Sequence, residues 1–261
     1  MPTPLQWTPH LVARFWNGVS ATRLDELSFS RLAGEPLLEC LSEFLTPGTR
    51  VLDVGAGGGH LTELLLPRGC HVAVFEPSPE RRSTIKDKPL ATHPGFLGFM
   101  DERSDEKFDL VIAVEVIEHV LQDELPDFMA LLRGKTKPNG IVVVSTPNQE
   151  DLDHNMAYCP QCDALFHRWQ HVRAFSADAL RDLLLDAGFE RLRDHQLDFS
   201  HAAFAESKIR ELELKAKVAA VIGPLYYLVK PFLERRATKN RRRGNGSTLV
   251  FVGQASSLGK P

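Results

Sequence analysis

The sequence predicts an α/β fold: a doubly wound, mostly parallel seven-stranded sheet with a helical N-terminal cap and a C-terminal helical insertion. Three observations carry this. Apolar runs without polar alternation, as expected of strands covered on both faces, recur with helical patterns between them over residues 50–150. A glycine-rich turn, residues 55–59, follows the first run directly. Gly and Pro punctuation separates the elements.

Taken in order, residues 1–48 mix aromatic and polar residues (Trp7, Phe15, Trp16, Phe29). They end in a helical spacing of Leu37, Leu38, Leu41, Phe44 and Leu45, which predicts a helical cap. No apolar run follows basic residues near Met1, so a cleaved signal peptide is not expected. Residues 50–54 read as a buried strand, 60–66 as a helix, 71–76 as a second strand ending in Glu76, and 108–114 as a later, wholly apolar one. A helix around 121–132 leads through the turn Pro138, Asn139, Gly140 into a strand at 141–145. Residues 149–175 form a polar Cys/His insert, expected as a long functional loop, before a helix at 176–187 closed by Gly188. Strands at 190–199 and 248–253 complete the sheet, so the main domain comprises 49–200 and 247–256, with 201–246 inserted as helix and basic loop.

The glycine turn permits positive φ and close approach of backbone to a ligand at the carboxyl edge of the sheet. Glu76 ends the second strand where an acid can accept both hydroxyls of a ribose, and the glycines lack the G-x-G-x-x-G spacing of a dinucleotide site, leaving a nicotinamide dehydrogenase as the runner-up. Over residues 50–150 and the closing strands the chain resembles the class I S-adenosylmethionine-dependent methyltransferases, which are Rossmann-like. That resemblance implies S-adenosylmethionine as cofactor. It also implies that Asp53, Gly55, Gly57 and Gly59 line the methionine part, with Ala56 and Val114 beside them, that Glu76 holds the ribose, and that Asp101 meets the adenine.

Glu115, Glu118 and His119 follow the strand at 108–114, and a helix beginning there would put all three on one face. Two carboxylates and an imidazole beside the cofactor can hold Mg²⁺ or Mn²⁺, or His119 can act as general base; either assists an oxygen nucleophile. Acids in a first helical turn also simply stabilise its dipole. This E-x-x-E-H stretch resembles that of the ubiquinone-biosynthesis O-methyltransferases and, more loosely, that of the small-RNA terminal 2′-O-methyltransferases. In the RNA family a later histidine, ahead of an aromatic and a Ser helix start, joins the metal set. His171, before Phe175 and Ser176, follows that layout and is the implied fourth ligand of Glu115, Glu118 and His119. The aromatic-acidic-aromatic residues of that family are incomplete here, so RNA specificity does not carry over.

Cys159, Cys162, His167 and His171 are spaced to close around Zn²⁺, which competes with the carboxylate site for His171; a metal-free loop with reduced thiols is the plain alternative. Four cysteines without a disulfide framework suggest a reducing, cytoplasmic setting. A net charge of -3 excludes a whole-molecule nucleic-acid or membrane binder. Locally, the apolar stretch 218–233 with basic flanks is an expected peripheral contact with the inner face of a membrane or a packed helix, and residues 239–243 a basic run. The expected function is methylation of a hydroxyl on a small-molecule, glycan, lipid-linked, quinone-like or ribose acceptor, an RNA acceptor being less favoured. N-methylation and a cofactor-binding, zinc-stabilised scaffold without turnover are the alternatives.

Overall fold

The computed structural model describes residues 2–199 and 246–257. The expected helical insertion, the basic run and the apolar stretch 218–233 lie outside these residues. In chain order come β1 (Thr3–Pro4), α1 (Pro9–Ser20), α2 (Phe29–Cys40), β2 (Arg50–Val54), α3 (His60–Leu65), β3 (His71–Phe75), α4 (Pro79–Lys86), β4 (Phe96–Phe99) and β5 (Phe108–Val114). They are followed by α5 (Leu125–Lys135), β6 (Thr136–Pro147), β7 (Met156–Tyr158), β8 (Ala164–His167), α6 (Ala177–Asp186), β9 (Phe189–Leu197) and β10 (Thr248–Ala255). Local chemistry starts several helices. Thr8, Ser78 and Ser176 accept the N–H of Leu11, Arg81 and Ala179, and Pro9 and Pro79 occupy first-turn positions where no N–H is required.

Seven strands pair in the order β4-β3-β2-β5-β6-β10-β9. All pairings from β4 to β6 are parallel, whereas β10 runs antiparallel to both β6 and β9. Strand order reverses between β2 and β5, so a crevice opens at their carboxyl ends, where such sheets bind ligands. Each face is covered. Leu37, Leu38 and Leu65 pack with Val51 and Val72 on one side, and Leu132, Leu180 and Leu184 with Leu52, Val111 and Phe251 on the other.

Three expectations change. The cap helix α2 begins at Phe29, earlier than the leucine spacing suggested, and gives way to a 3₁₀ turn at Ser42–Phe44. Strand β6 begins at Thr136, so the Pro138–Gly140 turn is an irregularity within it, with Asn139 at φ 61°. The Cys/His insert is no plain loop: β7 and β8 form an antiparallel hairpin, and β1 adds to β8 in parallel. Short strands of mixed polarity carry no readable alternation, which is why the hairpin was not anticipated. Among the described residues no helix is long and apolar enough to cross a membrane.

Candidate active site

A cavity of about 740 Å³ occupies the crevice. It runs from Gly55, Ala56 and Gly57 past Glu76 and Arg81 to Val114, Glu115, Glu118, His119 and His171, beneath a wall of Trp16, Leu24, Phe29, Phe128 and Trp169. The volume falls within the ~300–1,000 Å³ of small-molecule sites.

At the glycine end, Gly55, Gly57 and Gly59 all have positive φ. A Cβ on Gly57 would stand 2.3 Å from Nη2 of Arg81, and one on Gly55 2.7 Å from Val116 Cγ2, so here the backbone must be bare. Glu76, 4% exposed, accepts the N–H of Gly57 at 2.9 Å and that of Ser78 at 3.0 Å, one on each carboxylate oxygen, with Arg81 Nη1 3.5 Å away. The acid is thus held at the cavity wall by the turn it serves. Arg81 also lies over Trp16 at 5.3 Å, and Trp16 donates from Nε1 to Gln170 Oε1 at 2.9 Å, so α1 closes one side of the crevice.

Three residues expected to contact cofactor lie off this wall. Asp53 is buried behind the turn, accepting from Thr62 Oγ1 at 2.7 Å. Gly59 caps α3 in a left-handed conformation, facing Leu90 and Ile85. Asp101 is exposed and accepts from the Arg103 N–H at 2.9 Å, and the neighbouring Glu102 lines the cavity in its place. Asp53 and Asp101 thus spend their side chains on the protein's own hydroxyl and backbone N–H groups, and Gly59 supplies a backbone conformation.

Asp53 has a testable electrostatic consequence. Burial pushes its carboxyl up to about 7, against the opposing hydrogen bond from Thr62. The folded protein therefore holds this proton more tightly than the unfolded chain, and that contribution to stability, full below about pH 4, is lost as pH rises through about 7. Asp53→Asn should retain the Thr62 contact and raise the stability of the ligand-free protein at pH 8, by an amount on the order of a few kcal/mol. Thermal unfolding from pH 4 to 8 checks this; parallel curves for the two proteins would refute it.

The Glu-x-x-Glu-His stretch is not an α-helical face. Glu115 takes φ 51°, Val116 (φ −128°, ψ −43°) is not helical, and Ile117–His119 form a 3₁₀ turn. Glu115 is thereby turned aside, its carboxylate accepting from Ser145 Oγ at 2.8 Å, and it does not group with the others. Loss of water pushes it up to about 7, with the charge of Glu150 adding and Ser145 opposing. Glu118 is fully buried and neither carboxylate oxygen has a partner in hydrogen-bond geometry; burial first and then Glu115 push it well above the carboxylate range, against the opposing pull of its own backbone N–H and the nearby Thr146 hydroxyl. His119 Nε2 lies 3.9 Å from Glu118 Oε1, and burial followed by the charges of His171 and Arg81 keeps this imidazole neutral well below its usual range.

The segment 170–173 is stitched onto this turn. Val172 donates to the Glu118 carbonyl at 3.0 Å, Gln170 Nε2 to the His119 carbonyl at 3.0 Å, and Arg173 Nη2 to the Val120 carbonyl at 2.6 Å. His171 is delivered against His119, ring centroids 4.9 Å apart, and one ligand atom each from Glu118, His119 and His171 falls within 4.8 Å of the others. A second such group is Glu150, His167 and His171.

The expected zinc set is not assembled. Cys159 and Cys162 sit at the β7–β8 turn, where the Cys159 N–H bonds the Ala164 carbonyl, while His167 ends β8 and is paired with Met156 at the far end of the hairpin. Among the described residues no ligand group contains either cysteine. An extended strand separates by length what spacing alone seemed to bring together. Phe166 packs edge-on to Trp7 and Phe175 is buried, whereas Trp169 faces the cavity. Sequence reasoning missed Trp16, Arg81, Glu150 and Gln170, none of which belongs to a local motif.

A parallel sheet with an antiparallel terminal strand, a glycine turn at its switch point and a paired acid on the next strand define a nucleotide-cofactor site with an acceptor chamber beside it. A family model described as a methyltransferase domain matches residues 25–193. The chain belongs to that family of methyltransferase domains. It is 33% identical over 168 residues to the mitochondrial ubiquinone biosynthesis O-methyltransferase of Homo sapiens, a match covering 59% of this chain and 42% of that protein. With the ubiquinone biosynthesis O-methyltransferase of Cereibacter sphaeroides it shares 26% identity over 232 residues, 82% of this chain and 90% of that one. The phosphoethanolamine N-methyltransferase 2 of Haemonchus contortus, solved with S-adenosyl-L-methionine, has the same fold, with a TM-score of 0.63 at 14% identity over 94% of this chain and 60% of that one.

Proposed function

We propose that this chain transfers the methyl group of S-adenosylmethionine to one hydroxyl of a vicinal pair on an aromatic, quinone-like ring, with Glu118, His119 and His171 handling the acceptor. The observation that carries it is Glu118: a fully buried carboxyl group with both oxygens unpartnered, aimed at two imidazoles in the same cavity as the glycine turn. Such a group is costly to keep unless it has a ligand.

The donor set fits a divalent cation. Two imidazoles and one carboxylate suit a borderline ion such as Mn²⁺ better than Mg²⁺, which prefers oxygen throughout. Three protein ligands would leave open positions, and a cation bound there would lower the pKa of an acceptor hydroxyl and orient it. The chain's own residues do the rest. Glu76 and the Gly57 backbone seat the cofactor at one end of the cavity; where no cation is bound, neutral His119 is able to take a proton; Trp16, Phe29, Phe128 and Trp169 exclude water and offer apolar contact to a ring rather than to a glycan or ribose. Similarity to the ubiquinone biosynthesis O-methyltransferases supports the same acceptor class.

The test is methyl transfer from labelled S-adenosylmethionine to an ortho-dihydroxy aromatic acid, with EDTA and with Mn²⁺ added back. Turnover that is lost in EDTA and restored by Mn²⁺ is expected. Chelator-resistant methylation of an amine, with none of the dihydroxy acid, would identify an N-methyltransferase instead.

A further inference from the structure

His171 belongs to both ligand groups, and the proton positions decide between them. His167 Nδ1 accepts backbone N–H groups from His171 at 3.1 Å and from Trp169 at 3.3 Å. Its lone pair is committed there, so in the neutral ring the proton resides on Nε2. That nitrogen lies 3.3 Å from Glu150 Oε1, within ion-pair distance but without the geometry of a hydrogen bond. A protonated nitrogen has no pair to offer a cation, which removes His167, and with it the Glu150, His167, His171 group, as a metal site.

The other oxygen of Glu150, Oε2, bonds His171 Nδ1. The Glu150 carboxylate, which accepts from Asn155 Nδ2 on its other oxygen, is the acceptor of this bond, so the proton sits on His171 Nδ1 and the free lone pair is on Nε2. The bridge is itself anchored. Asn155 Nδ2 donates to Glu150 Oε1 at 2.9 Å, and His167 stacks on His171 with centroids 4.3 Å apart and planes 22° apart.

We infer that Glu150 is the positioning residue of this site: it fixes His171 as the Nδ1–H tautomer and turns the Nε2 lone pair toward Glu118 and His119, with Asn155 anchoring its second oxygen. The inference rests on the reading of Glu118, His119 and His171 as the acceptor-handling group. Carboxylates that orient a ligating histidine in this way set both ring direction and basicity.

The test begins without metal. Full-length protein labelled with ¹⁵N-histidine, stripped with EDTA and held at about pH 8, is analysed by two-bond ¹H–¹⁵N correlation, with His171→Gln assigning the resonance. His171 should be Nδ1–H and His167 Nε2–H. In Glu150→Gln the amide oxygen stays with the Asn155 donor and the amide nitrogen faces His171 Nδ1, so His171 should shift to the Nε2–H form. Affinity for Mn²⁺, followed by electron paramagnetic resonance, should fall about 10–100-fold with S-adenosylmethionine affinity unchanged, and Glu150→Asp should recover part of it. Wild-type His171 as Nε2–H, or a tautomer unmoved in Glu150→Gln, overturns the inference; the wild-type spectrum alone suffices if the variant does not fold. The expected tautomers without Mn²⁺ binding would leave Glu150's role standing and remove the cation from the proposed function.

Discussion

Glu118→Gln should reduce methyl transfer by about 10²–10⁴-fold, the usual span for a group acting on the proton of the reacting atom, while cofactor affinity stays as in the wild type. The separation follows from position: Glu118 meets His119 and His171 at the acceptor end of the cavity, whereas the glycine turn and Glu76 form the other end. The same geometry predicts a trade against stability. Two unpartnered buried oxygens, with the Glu115 carboxyl nearby, penalise the folded state. Replacing them with an apolar side chain of similar volume, as in Glu118→Leu, should stabilise the ligand-free protein by about 1–3 kcal/mol. Single-turnover kinetics, titration calorimetry and thermal unfolding on the same variants measure all three quantities. A dead enzyme that is also less stable would make Glu118 part of the framework and end its assignment to the acceptor.

Much of the cofactor half was legible because its signals are local. β2, the glycine turn and β3 lie within one short stretch, and Gly55, Gly57 and Glu76 reach the cavity directly from their strand ends. Spacing alone misled where backbone conformation intervened. Glu115 at φ 51° breaks the helix that would have aligned it with Glu118 and His119, and the extended β7–β8 hairpin carries Cys159 and Cys162 away from His167. The acceptor half depends on contacts distant in sequence. Trp16 meets Gln170 across 154 positions and Glu150 meets His171 across 21, through loops whose course the sequence pattern does not encode. Even the pairing of His171 with His119, suggested by family layout, needed the 170–173 segment to bond the backbone of the 3₁₀ turn.

Glu76→Ala should weaken S-adenosylmethionine binding by about 10²–10⁴-fold, the loss of two hydrogen bonds to a charged acceptor at about 1.5–3 kcal/mol each, partly relieved by water. In the ligand-free protein its two oxygens are already directed by the N–H groups of Gly57 and Ser78, so ribose hydroxyls would meet a carboxylate that needs no reorientation. Glu76→Gln keeps the volume but replaces one acceptor with a donor that faces either a backbone N–H or Arg81, and should fall between wild type and Ala. Because Glu76 also pairs with Arg81, whose guanidinium lies over the Trp16 ring, a loss of affinity could arise from a displaced α1. Arg81→Ala separates the two causes. If Glu76 acts on the ribose, Arg81→Ala binds cofactor far better than Glu76→Ala; if it acts by holding Arg81 and α1, the two variants lose equal affinity in calorimetry and the ribose assignment fails.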